Sequence, residues 1–155
     1  MKTNKPTKYR YYKLKGNFEE IVKTFCSRLW GWRKDIRFEV LNEEEYKKFD
    51  RKNNSTALVT RFREKHKVLG IDQDVYIIRL LNIGKGFRLN DLMHELLHVY
   101  RPQDSEKDVE QTQDWLLYGF QIWKSLYNNE SLREYFIELF RKDFLRPKEK
   151  KIWNT

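Results

Sequence analysis

The stretch that decides the fold is "DVYIIRLLNIGKGFRLNDLMHELLHVYRP", residues 74–102. It begins with a nearly continuous apolar run, residues 74–81, which is bounded by turn signals and is typical of a buried strand. Two glycines in the loop that follows permit backbone angles that other residues avoid. The stretch then becomes a helix, because Asn90 favours the N-cap position and Pro102 makes Arg101 the last expected helical residue. A strand that leads through a glycine loop into a helix therefore forms the centre of the expected fold.

The segment before this stretch predicts one helix and two more strands. Residues 18–31 place apolar side chains on one helical face, and Asn17 with Glu20 has the sequence pattern of a capping box. The chain then predicts a strand, a short helix that Asn42 caps, and a second, β-branched strand, at residues 36–41, 42–49 and 56–62. With the buried strand, these segments predict a small mixed sheet of about three strands.

Two long helices are expected after the opening stretch. Ser105 and Asp108 resemble a capping box at the start of the first, and Asn128 and Asn129 end it. The second is expected to end before Pro147 and to bury an apolar face made of Leu132, Tyr135, Phe136, Leu139 and Phe140. Strands in one part of the chain and helices in another favour an α+β domain.

Length and composition favour one domain. The 155 residues are enough for a hydrophobic core, and no linker divides residues 1–155. Aromatic residues make up 15% of the chain, and the tryptophans expected in its core are Trp30, Trp32, Trp115 and Trp123. The single cysteine, Cys26, excludes an internal disulfide and favours a reducing, cytoplasmic setting. No apolar run approaches the roughly 20 residues of a membrane helix, so no membrane partner is expected.

The net charge of +9 lies at the two ends of the chain. Residues 1–16 carry +6 and residues 141–155 carry +4, which leaves −1 for the rest. Basic ends suit contact with nucleic acid or an acidic partner, and they equally suit solubilising tails. Tyr9, Tyr11 and Tyr12 alternate with basic residues, a pattern that allows stacking on bases but also a strand packed on the domain.

The helix in the opening stretch contains two of the three histidines of the chain, His94 and His98, with Glu95 between them. Residues four apart on a helix differ by about 40° and one turn, so both imidazoles project from one face. Two nitrogens in this arrangement can bind one zinc ion at about 2.0–2.1 Å. Glu95 lies about 100° around the helix, where it suits a general base for a zinc-activated water better than a ligand. The pattern therefore predicts a hydrolytic zinc site.

A catalytic zinc site needs a third protein ligand and one open position. No histidine follows His98, and His66 falls in a charged turn between strands, so a carboxylate is expected. Glu110 and Asp114 share a helix face, which would let Glu110 bind zinc while Asp114 accepts a hydrogen bond from an imidazole. The other candidates are Asp104 and Asp108, and at the helix start the less favoured Glu106.

The sequence "HELLH", followed by "EQTQD" at residues 110–114, resembles the zincin metallopeptidases, and in particular their gluzincin branch. In size the chain is similar to small phage, archaeal and ImmA/IrrE-type metallopeptidases. The resemblance implies Zn²⁺ as the cofactor, Glu95 as the general base, Asp114 as an outer-shell partner, and the ligands His94, His98 and Glu110. Asp104 stands where the other zincin branch places its third ligand, and it is the alternative.

The resemblance also implies a compact zincin-like domain whose edge strand pairs with an extended substrate. The expected edge strand is "VYIIRLL", residues 75–81. The implied activity is that of a zinc endopeptidase acting on an intracellular protein. The alternative, from a different class, is a nucleic-acid-associated protein in which the metal is structural or vestigial.

Overall fold

The computed structural model describes residues 11–12, 17–50 and 55–153, with side chains for residues 17–50 and 55–145. In chain order the elements are β1 (Tyr11–Tyr12), α1 (Phe18–Trp30), β2 (Asp35–Leu41), α2 (Glu43–Tyr46), β3 (Ala57–Lys65), β4 (Asp72–Leu81), β5 (Phe87–Arg88), α3 (Leu89–Tyr100), α4 (Glu106–Ser125) and α5 (Glu130–Trp153). The α+β class predicted from the sequence is confirmed, with a three-stranded mixed sheet between an N-terminal helix and three C-terminal helices.

β4 is the middle strand of the three-stranded sheet, whose order is β2-β4-β3. β2 runs parallel to β4, and β3 runs antiparallel to it. The prediction that residues 75–81 form an edge strand is therefore wrong. A strand between two others has its backbone N–H and C=O groups paired on both sides, and its central position in the sheet suits a segment that is apolar almost throughout. Its fully buried residues are Val75, Ile78 and Leu80.

Helices cover one face of the sheet and form the core with it. The strand register places Ala57 opposite Leu80. The buried residues that the sheet contributes to this core are Ile36, Ala57, Ile78 and Leu80. Phe25 of α1 contacts two aromatic rings of α4, Phe120 at 5.3 Å and Trp123 at 5.6 Å between ring centroids. Cys26 is buried in the same core, and burial raises the pKa of its thiol, so it contributes packing rather than reactivity.

The predicted helix caps form at α2 and α4 but not at α1. Asn42 and Glu45 make a complete capping box at the start of α2. Ser105 accepts a hydrogen bond from the Asp108 N–H at 3.1 Å at the start of α4. Asn17 makes no side-chain cap hydrogen bond, so the capping box predicted for α1 is wrong.

The stretch of residues 74–102 becomes helical earlier than predicted. α3 begins at Leu89, directly after β5, so Asn90 lies in its first turn instead of capping it. Arg101 is the C-cap residue rather than the last helical residue. These shifts of one or two residues leave the two histidines in the middle of the helix.

α5 is longer and less buried than its sequence predicts. It continues through Pro147 to Trp153, so a single proline does not end it. Leu132, Tyr135 and Leu139 are exposed by 49%, 66% and 47%, whereas the buried residues are Ile137, Phe140 and Phe144. The apolar residues of this helix occupy a wider arc than its neighbours cover. Among the tryptophans expected in the core, Trp32 and Trp115 are also exposed.

Tyr11 and Tyr12 form a short strand. β1 pairs antiparallel with β5, with Tyr11 opposite Arg88 and Tyr12 opposite Phe87. Residues 1–10 and 13–16, and the side chains beyond residue 145, lie outside the described part, and most of the basic ends fall there. Within the residues that are described, no helix has the length and apolar character needed to cross a membrane.

Candidate metal centre

α3 presents His94 and His98 towards the start of α4. The Nε2 atoms of the two imidazoles are 3.2 Å apart, and the side chains expose 16% and 27% of their surface. Most other side chains of the helix are buried, among them Leu92, Met93, Leu96 and Leu97. Because this packing fixes the rotation of the helix about its axis, both imidazoles are held on the same side.

Glu106, in the first turn of α4, completes a cluster of three possible ligands. One of its carboxylate oxygens lies 2.8 Å from His94 Nε2 and the other lies 2.9 Å from His98 Nε2. The three ligand atoms lie within 4.8 Å of one another. Ligands at about 2.0–2.1 Å from a tetrahedral zinc ion are about 3.3 Å apart, so the donor set and its spacing fit zinc. The Glu106 side chain is 62% exposed, which leaves the cluster open to solvent.

Glu110 and Asp104, the carboxylates that the sequence favoured as third ligand, lie outside this cluster. Glu110 is exposed and lies one turn beyond Glu106 on α4. The Asp104 side chain is 4% exposed, and its carboxylate is 4.0 Å from the Arg101 guanidinium. Only residues 101–105 separate α3 from α4, which brings the first turn of α4 beside the histidines. Glu110 is rotated about 40° around α4 from Glu106, so it does not share the position of Glu106 against the imidazoles.

Gln113, and not Asp114, holds the other ring nitrogen of His94. Its Oε1 lies 2.6 Å from His94 Nδ1. Asp114, the predicted outer-shell carboxylate, instead accepts a hydrogen bond from the Asn90 amide at 3.2 Å. Gln113 follows Glu106 by two helical turns and shares its face of α4. With Nδ1–H donating to Gln113, the Nε2 lone pair of His94 is available to a metal. The sequence analysis considered only carboxylates as partners of the imidazoles, and Gln113 is not among them because its acceptor is an amide oxygen.

Glu95 is a buried carboxyl group beside the two histidines. Only 8% of its surface is exposed. Burial raises its pKa to about 7; the charge of His94 acts in the opposite direction, while the carboxylates of Glu106 and Asp91 add to the increase. A carboxyl group with a pKa near neutrality can both accept and return a proton.

The pKa of His94 is raised above its ordinary value. Burial alone would lower the pKa, but the hydrogen bond to Gln113, the charge of Glu95 and the hydrogen bond to Glu106 together raise it by more. A proton and a metal ion therefore compete for this imidazole, so metal affinity should weaken as the pH falls.

A second polar network anchors the start of α3 to the sheet. Asp91 accepts hydrogen bonds from the Thr56 hydroxyl and from Arg88 Nε, the latter at 3.1 Å. Arg88 also donates to the Thr56 hydroxyl at 2.9 Å. Because Thr56 directly precedes β3, this network fixes the helix that carries the histidines relative to the edge of the sheet.

The cluster thus combines two imidazole nitrogens, an exposed carboxylate and a buried carboxyl group of raised pKa. This is a set of groups suited to holding a divalent ion and moving a proton. The chain matches no protein-family model, no curated protein and no solved structure. The inference of function therefore depends on the geometry of these residues.

Proposed function

We propose that this protein is a zinc-dependent metallopeptidase with a zincin-like fold. One observation carries the proposal: His94, His98 and Glu106 converge within 4.8 Å, and the adjacent Glu95 has a pKa of about 7. Two imidazoles and one carboxylate are a donor set of catalytic zinc sites, in which the fourth position stays open. A purely structural zinc site has four protein ligands, and the described residues supply three.

The residues around the cluster have separate tasks in peptide hydrolysis. His94, His98 and Glu106 would hold the zinc, whose Lewis acidity lowers the pKa of a water molecule and polarises a carbonyl group. Glu95 accepts the proton of the attacking water and then delivers it to the leaving amine. Gln113 keeps the imidazole of His94 in the tautomer and orientation that this arrangement needs.

The substrate site that we propose is the edge of β3, in place of residues 75–81. Among the described residues β3 pairs only with β4, so its other edge offers N–H and C=O groups to an extended peptide. Thr56 is hydrogen-bonded to Asp91 of α3, which keeps the start of β3 in a constant position relative to the histidines. Main-chain pairing of this kind accepts many sequences, as suits an intracellular protein substrate.

The buried free thiol of Cys26 is consistent with a cytoplasmic setting.

The test is a comparison of wild type with Glu95→Gln. We expect Glu95→Gln to retain zinc, measured by elemental analysis, and to lose at least about 100-fold in the hydrolysis of a mixed peptide library, since general base catalysis contributes about 10²–10⁴-fold. Glu110→Gln, the same chemical change at an exposed position of the neighbouring helix α4, is the matched control and should cleave like wild type. Unchanged hydrolysis in Glu95→Gln would reject the proposal.

The same variants test the alternative, a nucleic-acid-associated protein with a structural or vestigial metal. Its support is the charge of +6 on residues 1–16 and +4 on residues 141–155. Under this alternative Glu95→Gln changes neither the zinc content nor the affinity for nucleic acid. The affinity for DNA or RNA falls steeply with added salt, because binding releases counterions from the phosphates.

A further inference from the structure

The turn that joins β3 to β4, residues 66–71, presents three exposed aliphatic side chains. We call this segment the hairpin tip. Val68 is 85% exposed, Leu69 is 65% exposed and Ile71 is 59% exposed. Single exposed aliphatic residues are ordinary, but three on one protruding turn form a patch of the kind that marks an interaction site.

Four backbone N–H groups of the hairpin tip have hydrogen-bond partners within the tip. His66 Nδ1 accepts hydrogen bonds from the N–H of Val68 at 3.2 Å and of Leu69 at 3.0 Å. The Gly70 N–H donates to the His66 carbonyl at 2.9 Å, and the His66 N–H donates to the Ile71 carbonyl at 2.8 Å. A surface turn does not need such internal partners, because water can supply them. A turn that leaves water does need them, since unpaired N–H groups are costly in an apolar medium.

Positive charge lies beside the apolar side chains. Lys65 and Lys67 are exposed on either side of His66, and Lys67 interacts electrostatically with the Glu64 carboxylate. Asp72 lies opposite Lys65 in the strand register, so the hairpin tip itself is only weakly charged. The chain as a whole carries +9, which attracts it to anionic surfaces.

Trp32 lies at the same end of the sheet as the hairpin tip. β2 begins at Asp35, which pairs with Val75, while β4 begins at Asp72, directly after the hairpin tip. Trp32 precedes β2 and is 55% exposed, and the Lys34 ammonium lies 4.2 Å from the centre of its ring. An exposed tryptophan beside a lysine is the combination found at the level of lipid headgroups.

We propose that the hairpin tip inserts into the surface of an anionic lipid bilayer and holds this protein there as a peripheral protein. Val68, Leu69 and Ile71 enter the boundary of the acyl chains, while Lys67 and Trp32 remain at the headgroups. The three exposed aliphatic side chains of the tip suit an apolar, deformable surface, and the net positive charge of the chain suits an anionic one. The expectation of no membrane partner considered only helices that span a bilayer, and this proposal differs from it in naming a surface contact.

The experiment is co-sedimentation of the full chain with large unilamellar vesicles of phosphatidylcholine and phosphatidylglycerol at 1:1. We expect binding by the wild type, and at least about 10-fold weaker partitioning by the double variant Val68→Asn, Leu69→Asn. Leu132→Asn, Leu139→Asn is the matched control, because these leucines are exposed on α5, away from the tip. Circular dichroism checks that each variant keeps its fold, and a second tip variant, Ile71→Asn, should also bind more weakly.

Several outcomes would overturn the proposal. One is no binding of the wild type to these vesicles at low salt. A second is equal binding by the wild type and both tip variants, which would assign the interaction to general positive charge. A third is complete release by about 1 M salt, where the screening length falls to about 3 Å and apolar insertion should still hold part of the protein. Glu95→Gln should bind vesicles like wild type, so this result and that for peptidase activity are independent.

Discussion

Glu106 and Glu110 differ by one turn of the same helix, yet only Glu106 has its oxygens against both imidazoles. α4 lies beside the histidines over more than one turn, because Gln113, seven residues after Glu106, also contacts His94. Glu110 is rotated about 40° around the helix from Glu106. At the scale of single residues, a ligand is therefore selected by the helix face on which it lies. The sequence restricted the third ligand to a few carboxylates, but it did not contain the position of α4 in space.

Zinc affinity should distinguish these two glutamates. Glu106→Gln removes an anionic ligand, so we expect its affinity for zinc to fall by at least about 100-fold, beyond the roughly 10- to 100-fold typical of outer-shell changes. Glu110→Gln should bind zinc like wild type. Competition titration with a chromophoric chelator measures both, and the assignment of Glu106 is refuted if Glu110→Gln suffers the larger loss.

Glu95 should make the metal-free protein less stable as the pH rises. Its pKa is about 7 in the folded protein and 4.5 in an unperturbed chain, so the folded state binds its proton more tightly. The free energy of unfolding therefore falls between about pH 4.5 and about pH 7, and the loss is complete above pH 7. His94, whose pKa is also raised, contributes in the same direction, because its stabilisation is present at low pH and is lost as it deprotonates.

Urea unfolding in the presence of a chelator measures this effect. Glu95→Gln should equal wild type in stability at pH 4 and exceed it above pH 7. Glu110→Gln supplies the control, with a difference from wild type that stays constant with pH. A difference between Glu95→Gln and wild type that does not grow with pH would contradict the burial argument for this carboxyl group.

At the scale of elements, α4 and α5 pack through a glycine. A Cβ atom added at Gly119 would overlap the ring of Phe140. In most helix interiors alanine is more favourable than glycine by roughly 0.5–1 kcal/mol. Here we expect Gly119→Ala to lower the free energy of unfolding by about 1–3 kcal/mol, because the ring must move within a filled core.

A second substitution separates the packing effect from the helical preference. Phe140→Leu removes the ring that the new methyl group would strike, so adding Gly119→Ala to Phe140→Leu should cost less than adding it to wild type. A double-mutant cycle from urea unfolding gives the interaction between the two sites. Strictly additive effects would show that the two helices do not depend on this contact.

The elements themselves were largely predictable. Helical spacing identified α1 and α4, and the apolar run identified β4, because both patterns come from local chain geometry. The order of strands was not predictable, since a buried run of residues does not say which neighbours cover it. The exposed side of α5 was not predictable for the same reason: Leu132 and Leu139 have core spacing, but none of the described elements covers them.

At the scale of the whole molecule, the proposed zinc would join α3 to α4. An ion held by His94 and His98 on one helix and Glu106 on the other binds the folded chain and not the unfolded one. At a free zinc concentration 100 times Kd, we expect stabilisation of about 2.7 kcal/mol. Thermal unfolding with zinc, with chelator, and with zinc restored measures it; the variant His94→Ala, His98→Ala should show no zinc-dependent shift. An equal shift in that variant would place the bound zinc elsewhere.

What the sequence determined by itself is the pair of histidines on one helix face, the glutamate between them and the α+β class. These follow from periodicities that a few neighbouring residues impose on the chain. Only the tertiary structure decided that Glu106 lies against both imidazoles, that Gln113 contacts His94 and that β3 is an outer strand of the described three-stranded sheet. These depend on how helices and strands far apart in the chain pack together, and that packing minimises exposed apolar area over the whole molecule, which no local spacing records.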